Sequence, residues 1–207
     1  MPEAFNGFPP EGFAFFKKLH SNNNRDWFQA HKEIYERACR EPMKALVAEI
    51  NRAGAKPHIS RINRDMRFIR DRAPYRTHIA AGVGSHWLSL SADGLYIGSG
   101  VYKPEPPMLE KLRGAIDSDT SGLALTKILA TLRKKGYTVD THERVPSTPR
   151  GYSADHARID LLRMKDIHAG RMFEKAPWLS TRNTIDRIKR AMTDLEPFNE
   201  WLNRYVR

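Results

Sequence analysis

From Pro9 to Ile50 the apolar positions recur three and four residues apart, the spacing of one face of a helix. Pro9-Pro10-Glu11 is a start signal ahead of Phe13, Phe16 and Leu19, which share such a face. Ser21-Asn22-Asn23-Asn24 interrupts the pattern and restarts it. An Asn side chain accepts from an orphan N–H at a helix start, and Asp26 falls in the following first turn, where the dipole favours an acid. Trp27, Phe28, His31, Ile34, Tyr35 and Ala38 form the stripe of a second helix. Pro42 has no N–H to donate, so it kinks this helix or begins a third one bearing Met43, Leu46, Val47 and Ile50, with Gly54 as the stop.

The period then drops to about two. Met66 and Phe68 alternate with Asp65, Arg67 and Ile69, as in a strand with one face buried. A second alternation, His86 to Ser91, joins Leu95 to Tyr102 through Ala92-Asp93-Gly94, where Asp-Gly supplies the positive φ of a hairpin turn. Lys103-Pro104-Glu105-Pro106-Pro107 ends that strand and launches a helix with Met108, Leu109, Leu112 and Ile116. Another helix spans about Ser121 to Lys135 and stops at Gly136. A short strand near Tyr137 to Val139 leads into a loop through Pro146 and Pro149. His156 to Met164 reads as helix and Asp166 to Phe173 as strand. Pro177 opens a long terminal helix in which Ile185, Ile188, Met192, Leu195, Phe198, Trp201, Leu202 and Tyr205 keep helical spacing. The pattern predicts an α+β fold: one domain over residues 1–207, with a mainly antiparallel sheet flanked by helices, a helical N-terminal region and a long C-terminal helix.

Composition sharpens this picture in three ways. The 207 residues carry 35 Lys and Arg against 24 Asp and Glu, a net charge of +11. One cysteine, Cys39, excludes an intramolecular disulfide framework and a Cys-rich zinc site and suits a reducing compartment. No apolar run reaches the roughly 18 residues of a membrane span, and MPEAFNGFPP lacks a basic and apolar leader, so a cytoplasmic location is expected. Phosphate-loop, dinucleotide-binding, His-Glu-x-x-His and Gly-x-Ser-x-Gly signatures are missing, and no cofactor is expected.

The densest polar stretch is RINRDMRFIRDRAPYRTH, Arg61 to His78. Its six arginines, 61, 64, 67, 70, 72 and 76, outweigh Asp65 and Asp71 by four charges. Guanidinium groups bind phosphate bidentately, and beside Tyr75, Thr77 and His78 they suit a phosphorylated ligand or a nucleic-acid backbone. The same residues also suit a solvated strand edge with Asp65 and Asp71 in ion pairs. On the second hairpin strand, Tyr96, Gly98, Gly100 and Tyr102 share a face, a shallow floor with aromatic walls that either a ligand or a packed backbone or helix would fill. Glu105 is a helix-start acid or a base held by prolines. The eight histidines show no ligand spacing to one another. A metal site would need distant segments, such as His78, His168 and Asp65, to converge, and none is expected. Cys39 shares the helical stripe of Ala38 and reads as a core thiol.

Four blocks, NNNRDWFQAHKEIYE (22–36), RINRDMRFIRDRAPYRTH (61–78), GLYIGSGVYKPEPPMLEKLR (94–113) and RIDLLRMKDIHAGRMF (158–173), closely resemble, in order, the blocks of the family called domain of unknown function 2461. Arg64, Asp65, Arg67, Phe68, Asp71, Pro74, Tyr75, Thr77 and His78 match its central block position by position. Arg72 and Arg76 stand where relatives tend to carry Lys. The resemblance implies a soluble bacterial-type domain and no established activity.

The expected function is a binding module with a cationic, aromatic-edged cleft for a phosphate-bearing small molecule or nucleic acid. Its ligand-binding candidates are Arg64, Arg67, Arg72, Tyr75, Arg76, Thr77, Tyr96, Gly98, Gly100 and Tyr102. The alternatives are an enzyme acting on an anionic substrate, with Asp65, Asp71, His78 and Glu105 as acid–base candidates, and a purely structural ion-pair network.

Overall fold

A computed structural model of the chain describes residues 4–51, 58–65 and 73–207. The fold is α+β: a six-stranded antiparallel sheet in the order β1-β2-β3-β4-β6-β5, a helical N-terminal region and a long C-terminal helix. The strands are β1 His58–Ile59, β2 His78–Val83, β3 His86–Ser91, β4 Gly94–Val101, β5 Thr138–Asp140 and β6 Ile167–Glu174. The chain forms two compact units, Met1–Ile97 with Met172–Ala191, and Gly98–Arg171 with Met192–Arg207.

In the first unit, helix α1 (Pro10–Ser21) has Pro at its first position, where the missing N–H is harmless, and buries Phe13, Phe15, Phe16 and Leu19. Asn24 caps α2 (Arg25–Tyr35) by accepting from the Trp27 N–H at 2.9 Å. Pro42 does start a third helix, α3 (Glu41–Ile50), but the chain reaches it through a π turn, Glu36–Arg40. With no N–H on Pro42, the Ala38 carbonyl has no i+4 partner, and the turn widens around it. That carbonyl lies 2.5 Å from where a Cβ on Gly12 would stand, so only glycine lets α1 approach the π turn. Phe5, Phe8, Phe16, Met43, Leu46, Ile50, Ile79, Leu88 and Leu90 fill the core, each side chain contributing about 1.5–3 kcal/mol.

Sequence pattern missed β2. Its solvent-side positions, Ala80 and Gly82, are small rather than polar, so His78–Val83 shows no apolar–polar alternation, yet it pairs fully with β3 across Gly84, whose φ is +57°. The β3–β4 hairpin forms as predicted. The proposed Met66 and Phe68 strand face and the Gly54 stop lie outside the described residues.

In the second unit, α4 (Pro106–Asp117) and α5 (Asp119–Lys134) pack Leu112, Ile116, Leu125, Leu129 and Leu132 inward. Gly136, with φ +82°, ends α5 as expected. The predicted helix from His156 to Met164 shrinks to α6 (Ile159–Leu162), because His156 Nδ1 accepts the Arg158 N–H and holds the preceding residues in turns. The Arg158 guanidinium in turn donates to the Ile116 and Asp117 carbonyls at the end of α4. Pro177 does not open the terminal helix. It opens a 3₁₀ turn, Pro177–Ser180, and α7 runs separately from Asn183 to Tyr205. Thr184 Oγ1 donates to the Trp178 and Leu179 carbonyls and fixes that break. No helix among the described residues is long and apolar enough to cross a membrane.

Candidate functional site

Two limbs of the arginine-rich block pair with each other in the first unit. Arg76 N–H donates to the Ile62 carbonyl and Arg64 N–H to the Pro74 carbonyl, each at 2.8 Å, and Asn63 bridges Tyr75. One step along, Ser60 N–H donates to the Ala80 carbonyl, continuing the β1–β2 register. Arg61 therefore faces three residues, Thr77 to Ile79, and the longer limb bulges. A bulge breaks strict alternation and re-aims side chains, and here it brings Arg76, Thr77 and His78 to the wall of a single cavity of about 510 Å³.

That cavity is also lined by Arg64, by His20 from the last turn of α1 and by Asn23 from the α1–α2 connection, with Ala73 and Tyr75 beside them. Asn23 acts as a side-chain mimic of a strand: its Nδ2 donates to the Tyr75 carbonyl at 2.8 Å, and its Oδ1 accepts the Tyr75 N–H at 3.0 Å. Tyr75 is buried, its ring stacked on Phe28 at 4.1 Å, so the limb bearing Arg76 hangs on a fixed point. Arg64 Nη1 donates to the Ala73 carbonyl at 3.2 Å and ties the limbs across the mouth. Burial, and secondarily the Arg76 charge, pull the His78 pKa below the usual imidazole range, which favours the neutral ring at physiological pH.

Among the described residues, none that lines this cavity is a carboxylate. Three other cavities each include one, Glu41, Asp160 or Glu36. A walled space whose described lining brings together two guanidinium groups, two imidazoles, a hydroxyl and an amide can hold an anion.

The cavity gathers Arg64, Tyr75, Arg76, Thr77 and His78 from the candidates and adds His20 and Asn23, which are not among them. Arg67, Asp71 and Arg72 lie outside the described residues. Asp65 is on the same limb as Arg64 but does not line the cavity, and neither do Tyr96, Gly98, Gly100 or Tyr102. Tyr96 stacks with Trp87, and Glu105 stands at the N-cap of α4, the helix-start position. At Gly100, with φ +156°, a Cβ would stand 2.3 Å from the Ile167 carbonyl, so the neighbouring strand β6 takes the space that a side chain would fill.

The second unit assembles a different polar group. His142, Asp166 and His168 offer ligand atoms that all lie within 4.8 Å of one another. The distant segments that converge here bring in His168, but neither His78 nor Asp65. Burial, then the His142 charge, lower the His168 pKa, with Asp166 and Asp140 pulling the other way. A local signal is present in Asp166-x-His168, two residues that share a side where extended chain enters β6. The third member comes from 24 residues earlier and has no spacing rule to reveal it.

A family model described as conserved hypothetical protein (DUF2461) matches residues 11–201. No curated protein matches the chain.

Proposed function

The chain belongs to the DUF2461 family of conserved hypothetical proteins, and for it we propose a binding function: the cavity at the bulged limb takes the phosphate group of a small phosphorylated molecule. One observation supports this above others, namely that Arg64, Arg76, Thr77, His78, His20 and Asn23 line one cavity, with no carboxylate among its described lining residues. In the proposed mode the two guanidinium groups supply charge and paired donors, Thr77 and Asn23 supply neutral donors, and neutral His78 donates without adding charge to be neutralised. A volume near 510 Å³ suits a nucleotide-sized or sugar-phosphate-sized ligand. Among the described lining residues His78 has no carboxylate beside it, which supports binding over acid–base chemistry. The proposed setting is the cytoplasm, where a single reduced Cys39 is at home.

The test is a thermal-shift screen against nucleotides, sugar phosphates and single- and double-stranded oligonucleotides, at low and physiological salt. A small phosphorylated compound should raise the midpoint at both salts by mass action, and Arg76→Ala should abolish the shift. Stabilisation by oligonucleotides alone, confined to low salt, would reassign the charge to a general electrostatic surface. An unchanged shift in Arg76→Ala would move the site elsewhere.

A further inference from the structure

The His142, Asp166 and His168 group is built by strand register. β5 pairs with β6 as Thr138↔Gly170, Val139↔Ala169 and Asp140↔His168. The same register continues past the end of β5: Lys165 N–H donates to the Glu143 carbonyl, Arg144 bridges Met164, and Val145 N–H donates to the Arg163 carbonyl. His142 therefore stands directly opposite Asp166. Directly opposed residues of an antiparallel pair present their side chains on the same face, and positions two apart on one strand share a face. Asp166, just ahead of β6, and His168 within it come from one side of this pairing and His142, just past β5, from the other, and the three converge.

The atoms match a metal-binding group in kind and reach. Asp166 Oδ1 lies 3.2 Å from His142 Nδ1 and 3.8 Å from His168 Nδ1, and the two imidazole centroids are 4.6 Å apart. Ligand atoms on one tetrahedral ion with bonds of about 2.0–2.2 Å stand roughly 3.4 Å apart, so small side-chain rotations suffice. Asp166 is 1% exposed, and its Oδ1 also accepts the His142 backbone N–H at 2.9 Å, which orients the carboxylate. Burying an ionised carboxylate is costly unless a cation or strong donors compensate it. His142 is half-exposed at the open side of the group, and Tyr102 braces the ring edge-on with centroids 4.8 Å apart. Asp140, opposite His168 on the same face, adds a carboxylate to the field, and Arg144 lies 3.7 Å from it. Gly100 lets β4 close against the His168 backbone, which holds that ligand in place.

We propose that His142, Asp166 and His168 bind one divalent first-row transition ion, with remaining coordination positions open to solvent on the His142 side. Two imidazoles and one carboxylate with an open position form a donor set used by zinc and by non-haem iron. This inference is independent of the phosphate cavity.

The experiment uses the full chain freed of metal with a chelator and dialysed, then titrated with Zn²⁺ against a chromophoric competitor and with Co²⁺ followed by visible absorption. One equivalent should bind, with a Co²⁺ spectrum of intensity typical of low-coordinate N/O ligation. His142→Ala should weaken Zn²⁺ binding at least tenfold; His142 is half-exposed, so this variant should keep the wild-type circular dichroism. His168→Ala should do the same. His156→Ala, which removes a histidine paired with Asp117 instead, should leave binding unchanged. Absence of stoichiometric binding, or an equal affinity in the folded His142→Ala variant, would overturn the proposal.

Discussion

Replacing Asn23 by Ala removes two hydrogen bonds at once, the 2.8 Å bond to the Tyr75 carbonyl and the 3.0 Å bond from the Tyr75 N–H. Each such bond contributes about 1 kcal/mol net, and a buried backbone group left unpaired costs about 1–3 kcal/mol. Tyr75 is 5% exposed, but Asn23 borders the cavity, so water can enter and repair part of the loss. The expected destabilisation is therefore roughly 2 kcal/mol. Urea unfolding at neutral pH should show a lower midpoint with an unchanged slope. Asn23→Asp, compared with Asn23→Ala at a similar loss of stability, isolates the effect on binding. Its carboxylate still accepts the Tyr75 N–H but turns an anionic oxygen toward the Tyr75 carbonyl in place of the amide donor, so it should cost about as much as Asn23→Ala, roughly 2 kcal/mol. It also places a negative charge in the cavity and should weaken phosphate binding at least tenfold, against a smaller loss in Asn23→Ala. An Asn23→Ala variant within about 0.5 kcal/mol of the parent would refute the view that this side chain anchors the limb.

His86 is buried, and burial pulls its pKa down to about 4. The unfolded chain binds its proton near pH 6.5, so the folded state binds fewer protons between those values and stability falls as pH drops through that window, by roughly 3 kcal/mol in all. Urea unfolding from pH 7.5 to 4 should show this slope flattened in His86→Gln. Gly100→Ala would put a Cβ 2.3 Å from the Ile167 carbonyl at φ +156°, so it should cost about 3 kcal/mol or prevent folding. Gly114→Ala in α4, with no atom within 4 Å of the added carbon, should stabilise by about 0.5–1 kcal/mol, and thermal midpoints compare the two. Cys39 is fully buried with its pKa pushed up to about 12, so a thiol reagent should label it only in denaturant.

The elements legible in the sequence are those in which a local rule and the core agree. Asn24, Pro10, Gly94 and Gly136 mark ends by capping and turn chemistry that depends on neighbours within a few residues. β2 was hidden because Ala80 and Gly82 carry no polarity to alternate, and its identity rests on pairing with β3. The start of the terminal helix is not legible because Pro177 suits a 3₁₀ turn as well as an α-helix start, and the choice is made by Thr184 bonding backward. At the cavity, the arginine block was visible as charge. Asn23 and His20 were not, since their contribution is a contact across some fifty residues of chain that no periodicity encodes. The floor proposed around Gly100 reads differently once β6 is seen against it.

The central claim is that the bulged limb binds an anion, and the most direct measurement is an amide chemical-shift titration of the ¹⁵N-labelled chain with a phosphate monoester at physiological salt. The account predicts saturable shifts at Arg76, Thr77, His78, Tyr75 and the Asn23 side-chain amide, absent in Arg76→Ala. Shifts spread over unrelated basic surfaces such as the Arg187, Lys189 and Arg190 region, with these amides unmoved, would contradict it.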